Sequence, residues 1–190
     1  MKTQVSQKGV GLIEVMVALL LLTVAVLGFS AMQMNAIKAT DESLMRTRSI
    51  STMKALSESM RILPNSGPIY REQVNKVYKV SKKADSDYVI SAYCEDVKAY
   101  SAAAPDCNAG NCSIDEAVNH NVGMILNSAC EKDIALNMEV CTDTSDMNER
   151  QCIIAAWSQT KPTMNDEKYS CTDANGTYKP GASCFIMEAY

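Results

Sequence analysis

A single histidine, His120, is all that the chain has of the commonest general base and metal ligand. Its eight cysteines include no C-x-x-C pair, so the close thiolate spacing of a structural zinc site is missing. No G-x-S-x-G elbow and no glycine-rich phosphate loop occur. Nucleophilic hydrolysis, zinc binding and nucleotide binding each lack their parts. The expectation is a chain that is not an enzyme and holds no cofactor. Positive charge is also in deficit, with 18 Lys and Arg against 22 Asp and Glu and a net charge of −4. That balance argues against DNA binding through a broad basic face, and no direct nucleic-acid site is arguable. Proline is absent before Pro64, so nothing forbids an uninterrupted helix through the first third of the chain.

What is present is concentrated at the start. A polar segment, Met1–Gly9, carries Lys2 and Lys8 and meets nineteen residues, Val10–Gly28, whose only charge is Glu14. A carboxylate at the centre of a membrane-spanning helix costs about 2.5–3.5 kcal/mol on insertion scales, and less near an interface. A residue this costly usually has a function, and the function supplies a cationic partner. A secretory signal peptide has an apolar core of about 7–15 residues and an A-x-A-like cleavage site. Here the apolar run is longer, and Phe29-Ser30-Ala31 is a poor match. No cysteine follows the run, so a lipoprotein box is missing. A plain membrane anchor explains Lys2 and Lys8 by the positive-inside rule but has no use for Glu14.

The segment Lys8-Gly9-Val10-Gly11-Leu12-Ile13-Glu14-Val15 resembles the prepilin signature of type IV pilins and type II secretion pseudopilins. In that family a membrane peptidase cuts after the glycine, and glutamate stands at the fifth mature position. With Val10 as the first residue, Glu14 is the fifth. A cut after Gly11 makes the glutamate the third, which does not fit. Val10 stands where the family usually has phenylalanine. The resemblance implies cleavage between Gly9 and Val10 by the prepilin peptidase and N-methylation of Val10. It also implies an ion pair for assembly, in which Glu14 of an incoming subunit faces the terminal ammonium of its neighbour. At low dielectric such a pair offsets part of the burial cost of the carboxylate.

The organisation that follows is a leader over 1–9, a membrane and filament-core helix over 10–34, an amphipathic continuation over 35–63 and a globular head over 64–190. Removing the leader and the membrane residues leaves roughly 155 residues, enough for one compact domain. Loss of Lys2 and Lys8 leaves 16 basic residues against 22 acidic ones. In the continuation, Met53, Leu56, Met60 and Leu63 form a narrow apolar seam that needs a folded head to cover it. Glu42–Arg46 and Lys54–Glu58 are favourable i,i+4 pairs. From Val10 to Leu63 the helix measures about 80 Å if straight, and Gly28 is a candidate bend. Pro64-Asn65-Ser66-Gly67-Pro68 ends it.

The stretch Ile69–Ser86 reads as a connecting loop with some strand, and its Lys76, Lys79, Lys82 and Lys83 as a solvated surface. Tyr88–Ala92 reads as a short strand or a helical turn. Ser113-Ile114-Asp115-Glu116 is a capping box for a helix over 114–131, with Ile114, Ala117, Val118, Val122, Ile125, Leu126 and Ala129 on one face. His120 lies off that face and reads as a surface residue. Ile134, Leu136, Met138 and Val140 alternate as a half-buried strand, and 152–157 and 184–190 follow as two more. Sequential strands favour an antiparallel meander. The fold class is α+β: a long N-terminal helix, membrane-spanning in its first half, with a small disulfide-rich head on a sheet of three or four antiparallel strands.

All eight cysteines lie beyond the apolar run, which places them in an oxidising compartment. They permit roughly a hundred pairings, among which sequence alone does not choose. Local geometry favours Cys107–Cys112 across a tight polar loop, Cys141–Cys152 at facing strand ends and Cys171–Cys184 around a turn-rich stretch, leaving Cys94–Cys130. Asp143, Asp146 and Glu149 share one loop but lack EF-hand spacing, and a solvated turn is the simpler reading. Asn111-Cys112-Ser113 and Asn175-Gly176-Thr177 are formal glycosylation sequons, the second better read as a turn. Tyr70, Tyr78, Tyr88, Tyr93 and Tyr100 offer a binding face or, more simply, core filling.

The run Glu14–Leu22, then Val26-Leu27-Gly28, Ala31-Met32-Gln33 and Leu56–Arg61, resembles minor pilins of the PilV class. That resemblance implies partners: other minor pilins, the major pilin and a PilY1-like tip adhesin. It also implies single-pass residence in the inner membrane with the head in the periplasm, then a place at the pilus tip on the cell surface. The implied role is a tip and priming subunit that initiates assembly and supports adhesion, twitching motility and DNA uptake. A minor pseudopilin of type II secretion and a membrane-tethered periplasmic binding module remain the alternatives.

Overall fold

A computed structural model describes residues 9, 11–63, 65–81, 90–108, 110–142, 144 and 149–189. The chain divides into two compact units, Met1–Ser43 and Leu44–Tyr190. The described part of the first is helix from Leu12 onward, within α1 (Leu12–Ile62), which continues into the second unit. α1 runs unbroken through Gly28. Left-handed Asn65, with φ 64°, stands three residues beyond its last turn; Pro64 lies outside the described residues.

The head is α+β. Three helices, α2 (Gly67–Ser81), α3 (Ile90–Ala103) and α4 (Ile114–Cys130), precede five strands. These are β1 (Ala135–Val140), β2 (Gln151–Ala156), β3 (Lys161–Met164), β4 (Ser170–Thr172) and β5 (Cys184–Ala189). The antiparallel order β1-β2-β5 is the meander expected from the strand pattern. β3 and β4 add a parallel pair that the pattern did not reveal.

α2 corrects the loop reading of Ile69–Ser86. Tyr70, Val74, Val77 and Tyr78 recur at helical spacing and are all buried. Pro68 sits in the first turn, where its missing N–H costs nothing. Lys76 and Lys79 stay exposed, and the lysines at 82 and 83 lie outside the described residues. α3 corrects the short-segment reading of Tyr88–Ala92: Tyr93 and Val97, one turn apart, are fully buried. α4 is the helix that the capping box announced. Ser113 Oγ accepts from the Glu116 N–H at 3.3 Å, and Glu116 Oε2 accepts from the Ser113 N–H at 2.8 Å, a cap of about 1 kcal/mol. The bonds that its carboxylate accepts from the Ser113 N–H and hydroxyl hold the Glu116 carboxyl below the ordinary carboxylate range. Val118, Val122, Leu126 and Ala129 are buried as the stripe requires, whereas Ile114 is exposed. Gly123 lets α4 close on α3: a Cβ there would lie 3.2 Å from Ser101 Cα.

The sheet is buried on both faces, so the half-buried reading of 134–141 fails. Leu136, Ala155 and Phe185 form one cross-strand row, and Met138, Ile153 and Met187 another. Both rows join the core of Met53, Leu56, Met60 and the buried faces of α2, α3 and α4. The opposite rows include Ile154 and Ile186, with Ala156 opposite Cys184. They pack with Cys171 of β4 in a second cluster. α2 rather than α1 is the helix set most closely on β1. The outer edge of β1 is covered by side chains: Asn75 Nδ2 donates to Met138 O at 2.8 Å, and Tyr93 serves both backbone groups of Leu136. Such coverage keeps an edge strand from pairing with foreign strands.

Candidate assembly site

Gly9 is exposed and non-helical, and Val10 lies outside the described residues. Gly11 begins the helix: its carbonyl accepts from the Glu14 N–H at 2.9 Å. Glu14 therefore sits in the first turn of α1, exposed, among Leu12, Ile13, Val15 and Met16, also exposed. Apolar side chains cover every side of the helix from there to Phe29, with Leu21 67% and Leu27 71% exposed. No part of the described chain buries them. By length and composition this helix is able to cross a membrane. The hydroxyls within it are satisfied locally, Thr23 donating to Leu20 O at 2.8 Å and Ser30 to Val26 O at 2.9 Å, as a lipid environment demands.

Magnitudes say what Glu14 needs. Twelve Leu, Ile, Val and Phe residues lie between Leu12 and Phe29. At about −0.3 to −0.6 kcal/mol each, they favour insertion by roughly 4–7 kcal/mol, so one carboxylate near the end does not prevent it. The positive end of the helix dipole returns only about 0.3–1 kcal/mol to an acidic group in the first turn. That is less than the cost of desolvating a carboxylate in lipid. Most of that cost stays uncompensated within the single chain.

In the head, disulfides join Cys94–Cys130, Cys107–Cys112, Cys141–Cys152 and Cys171–Cys184. Cys141, Cys152, Cys171 and Cys184 are each at most 5% exposed. The other four cysteines are half-buried. Access limits thiol exchange on a folded protein. Limited reduction under native conditions, followed by alkylation and peptide mass mapping, is expected to label Cys94, Cys107, Cys112 and Cys130 first. Simultaneous labelling of all eight would contradict this order.

The remaining candidates among the described residues have contacts within the head. Glu149 forms an ion pair with Arg71, whose guanidinium holds its carboxyl below the ordinary range. Asp143 and Asp146 lie outside the described residues, and so does Tyr88. Among the described residues, no group of three His, Cys, Asp or Glu side chains is placed to hold a metal. His120 is half-buried, with Nδ1 2.9 Å from the carbonyl of Pro105, rather than free on the surface. Tyr70, Tyr78 and Tyr93 are core residues, and Tyr100 is half-buried, its hydroxyl pushed up to about 12 by burial. In the second sequon, the Asp173 side chain accepts from the Asn175 and Thr177 N–H groups at 2.9 Å each. That is the turn expected of Asn-Gly.

The prokaryotic N-terminal methylation motif matches residues 5–30. The family of the type IV pilin Tt1218 matches residues 31–123, from the apolar helix into the head. No curated protein and no solved structure matches the chain. The two family matches support a type IV pilin subunit that is processed by a prepilin peptidase and meets other pilus subunits.

Proposed function

We propose that this chain, a type IV pilin subunit by its leader motif and its family match, is a minor pilin of the tip and priming complex. It waits in the inner membrane as a single-pass protein, its leader over 1–9 cytoplasmic and its head over 64–190 periplasmic. Helix 10–34 then moves from lipid into the filament core, with 35–63 linking it to the head. Gly9–Val10 is the cleavage bond, Val10 the methylated terminus and Glu14 the residue that pairs with the terminus of a neighbour. Other minor pilins, the major pilin and a PilY1-like tip adhesin are its partners, as the PilV-class residues imply. Adhesion, twitching motility and DNA uptake are functions of the assembled pilus to which it contributes.

One observation carries this reading: Glu14, in the first turn of α1, is the only charge in the apolar run 10–28 and stands fifth when Val10 is counted as the first residue after Gly9. The pilin match extends to residue 123, well into the head, which supports a pilus subunit over a secretion pseudopilin. The test is intact mass and N-terminal peptide mapping of the chain from membranes, with and without prepilin peptidase. The expected product begins at Val10, carries one methyl group and is recovered from sheared pili. A product beginning at Met1, or cut near Ala31, removes the reading. Recovery only with a secretion apparatus moves it to the pseudopilin class.

A further inference from the structure

The head carries a groove to which α1 contributes no lining residue. It opens between α3, the end of α4, the β2–β3 connection and Tyr169, and holds about 750 Å³. Small-ligand sites measure about 300–1,000 Å³. The Cys94–Cys130 disulfide lines it and fixes α3 against the end of α4. Glu95 and Lys98 enter from α3, Asn127 and Glu131 from α4 and its cap, and Gln159 from the connection. None of these five side chains has a hydrogen bond or ion pair to another described residue. Glu95, Lys98, Glu131 and Gln159 are exposed and Asn127 is half-buried.

The aromatic at the rim is held in place. Asp133, Ser158 and Tyr169 line the groove with φ of 55°, 61° and 69°. They are three of the five non-glycine residues with left-handed backbone among those described. Aspartate tolerates that region, but a tyrosine there is strained. The Lys161 N–H donates to Tyr169 O at 2.7 Å and fixes the strained residue, which is 43% exposed. Lys168 Nζ lies 4.6 Å from the ring centroid.

We propose that this groove binds a neutral saccharide. Carboxylates and amides set close together accept from and donate to the paired hydroxyls of a sugar ring, and an exposed tyrosine offers a flat apolar surface to its C–H face. Lys98 and Lys168 offset two of the three carboxylates Glu95, Glu131 and Asp133, and the net of −1 that remains selects a cation only weakly. A basic peptide is therefore the disfavoured rival. The inference concerns the head alone and stands or falls apart from the tip-complex reading.

The test uses the full chain in a detergent without a sugar headgroup. Amide NMR follows titration with lactose, N-acetyllactosamine and cellobiose, and separately with a tetralysine peptide. At least one saccharide is expected to give saturable shifts confined to Glu95, Asn127, Gln159 and Tyr169. Tyr169→Gly keeps the left-handed backbone but removes the ring, and is expected to weaken binding roughly tenfold or more. Gln159→Ala, at an exposed position, is expected to weaken it without disturbing other amides. The proposal is overturned by the absence of groove shifts with all three sugars, by shifts indifferent to both substitutions, or by shifts with tetralysine alone.

Discussion

Glu14→Ala is expected to leave the chain in the membrane and out of the filament. The substitution removes the only charge from the apolar run Val10–Gly28, so insertion becomes more favourable by up to about 3 kcal/mol. Cleavage at Gly9–Val10 needs no carboxylate four residues downstream of the new terminus, so the mature mass should appear. On the proposed pairing, what is lost is attraction to the terminal ammonium of a neighbour. Two unit charges about 4 Å apart at an effective dielectric near 20 attract by about 4 kcal/mol. A loss of that size lowers recruitment into pili by roughly two to three orders of magnitude. Quantitative immunoblotting of sheared pili against membranes measures it. Glu14→Gln separates charge from shape and is expected to fail like alanine, because the amide carries no charge. Incorporation of either variant at the wild-type level would mean that Glu14 sets no register in assembly, and the pilin reading would then rest on the family matches alone.

The same physics decides what was legible from residues alone. The apolar run, its lone acid and the seam Met53, Leu56, Met60 and Leu63 are local patterns; α1 holds the run from Leu12, the acid and the first three seam residues, and Leu63 follows its end. α4 was legible because its cap, its stripe and its length agree. α2 was missed although Tyr70, Val74, Val77 and Tyr78 follow the helical period. Lysines between the apolar positions hid the stripe, and two of its members are tyrosines, which are weak helix formers. β1 misled in the opposite way. Its alternation suggested one wet face, yet Asn137 is buried, because β3 and β4 cover the side of the sheet away from the helices. Strands of four and three residues leave almost no periodic trace. The groove was invisible for another reason. Glu95, Asn127, Gln159 and Tyr169 come from four separate parts of the chain, and only packing brings them together.

Tyr93→Phe is expected to cost more stability than its single lost oxygen suggests. Tyr93 is fully buried on α3. Its hydroxyl donates to Leu136 O at 2.9 Å and accepts from the Leu136 N–H at 3.3 Å. Burial pushes that hydroxyl well above the ordinary phenol range, and the bond to Leu136 only partly opposes the effect. β1 pairs with β2 on its other side, so on this edge the two backbone groups of Leu136 have the phenol in place of a neighbouring strand. Phenylalanine keeps the ring in the core but leaves a buried N–H and a buried C=O unpaired, at about 1–3 kcal/mol each. A loss of about 2–6 kcal/mol is a large part of the 5–15 kcal/mol typical of a whole domain. Trp157, the single tryptophan, is 4% exposed at the end of β2 and reports head unfolding in denaturant. Faster hydrogen exchange at the Leu136 amide, measured on the same variant, ties the loss to this edge. A variant as stable as the wild type, with Leu136 still protected, would show that the edge of β1 is held by packing against α2 and α3 rather than by the phenol.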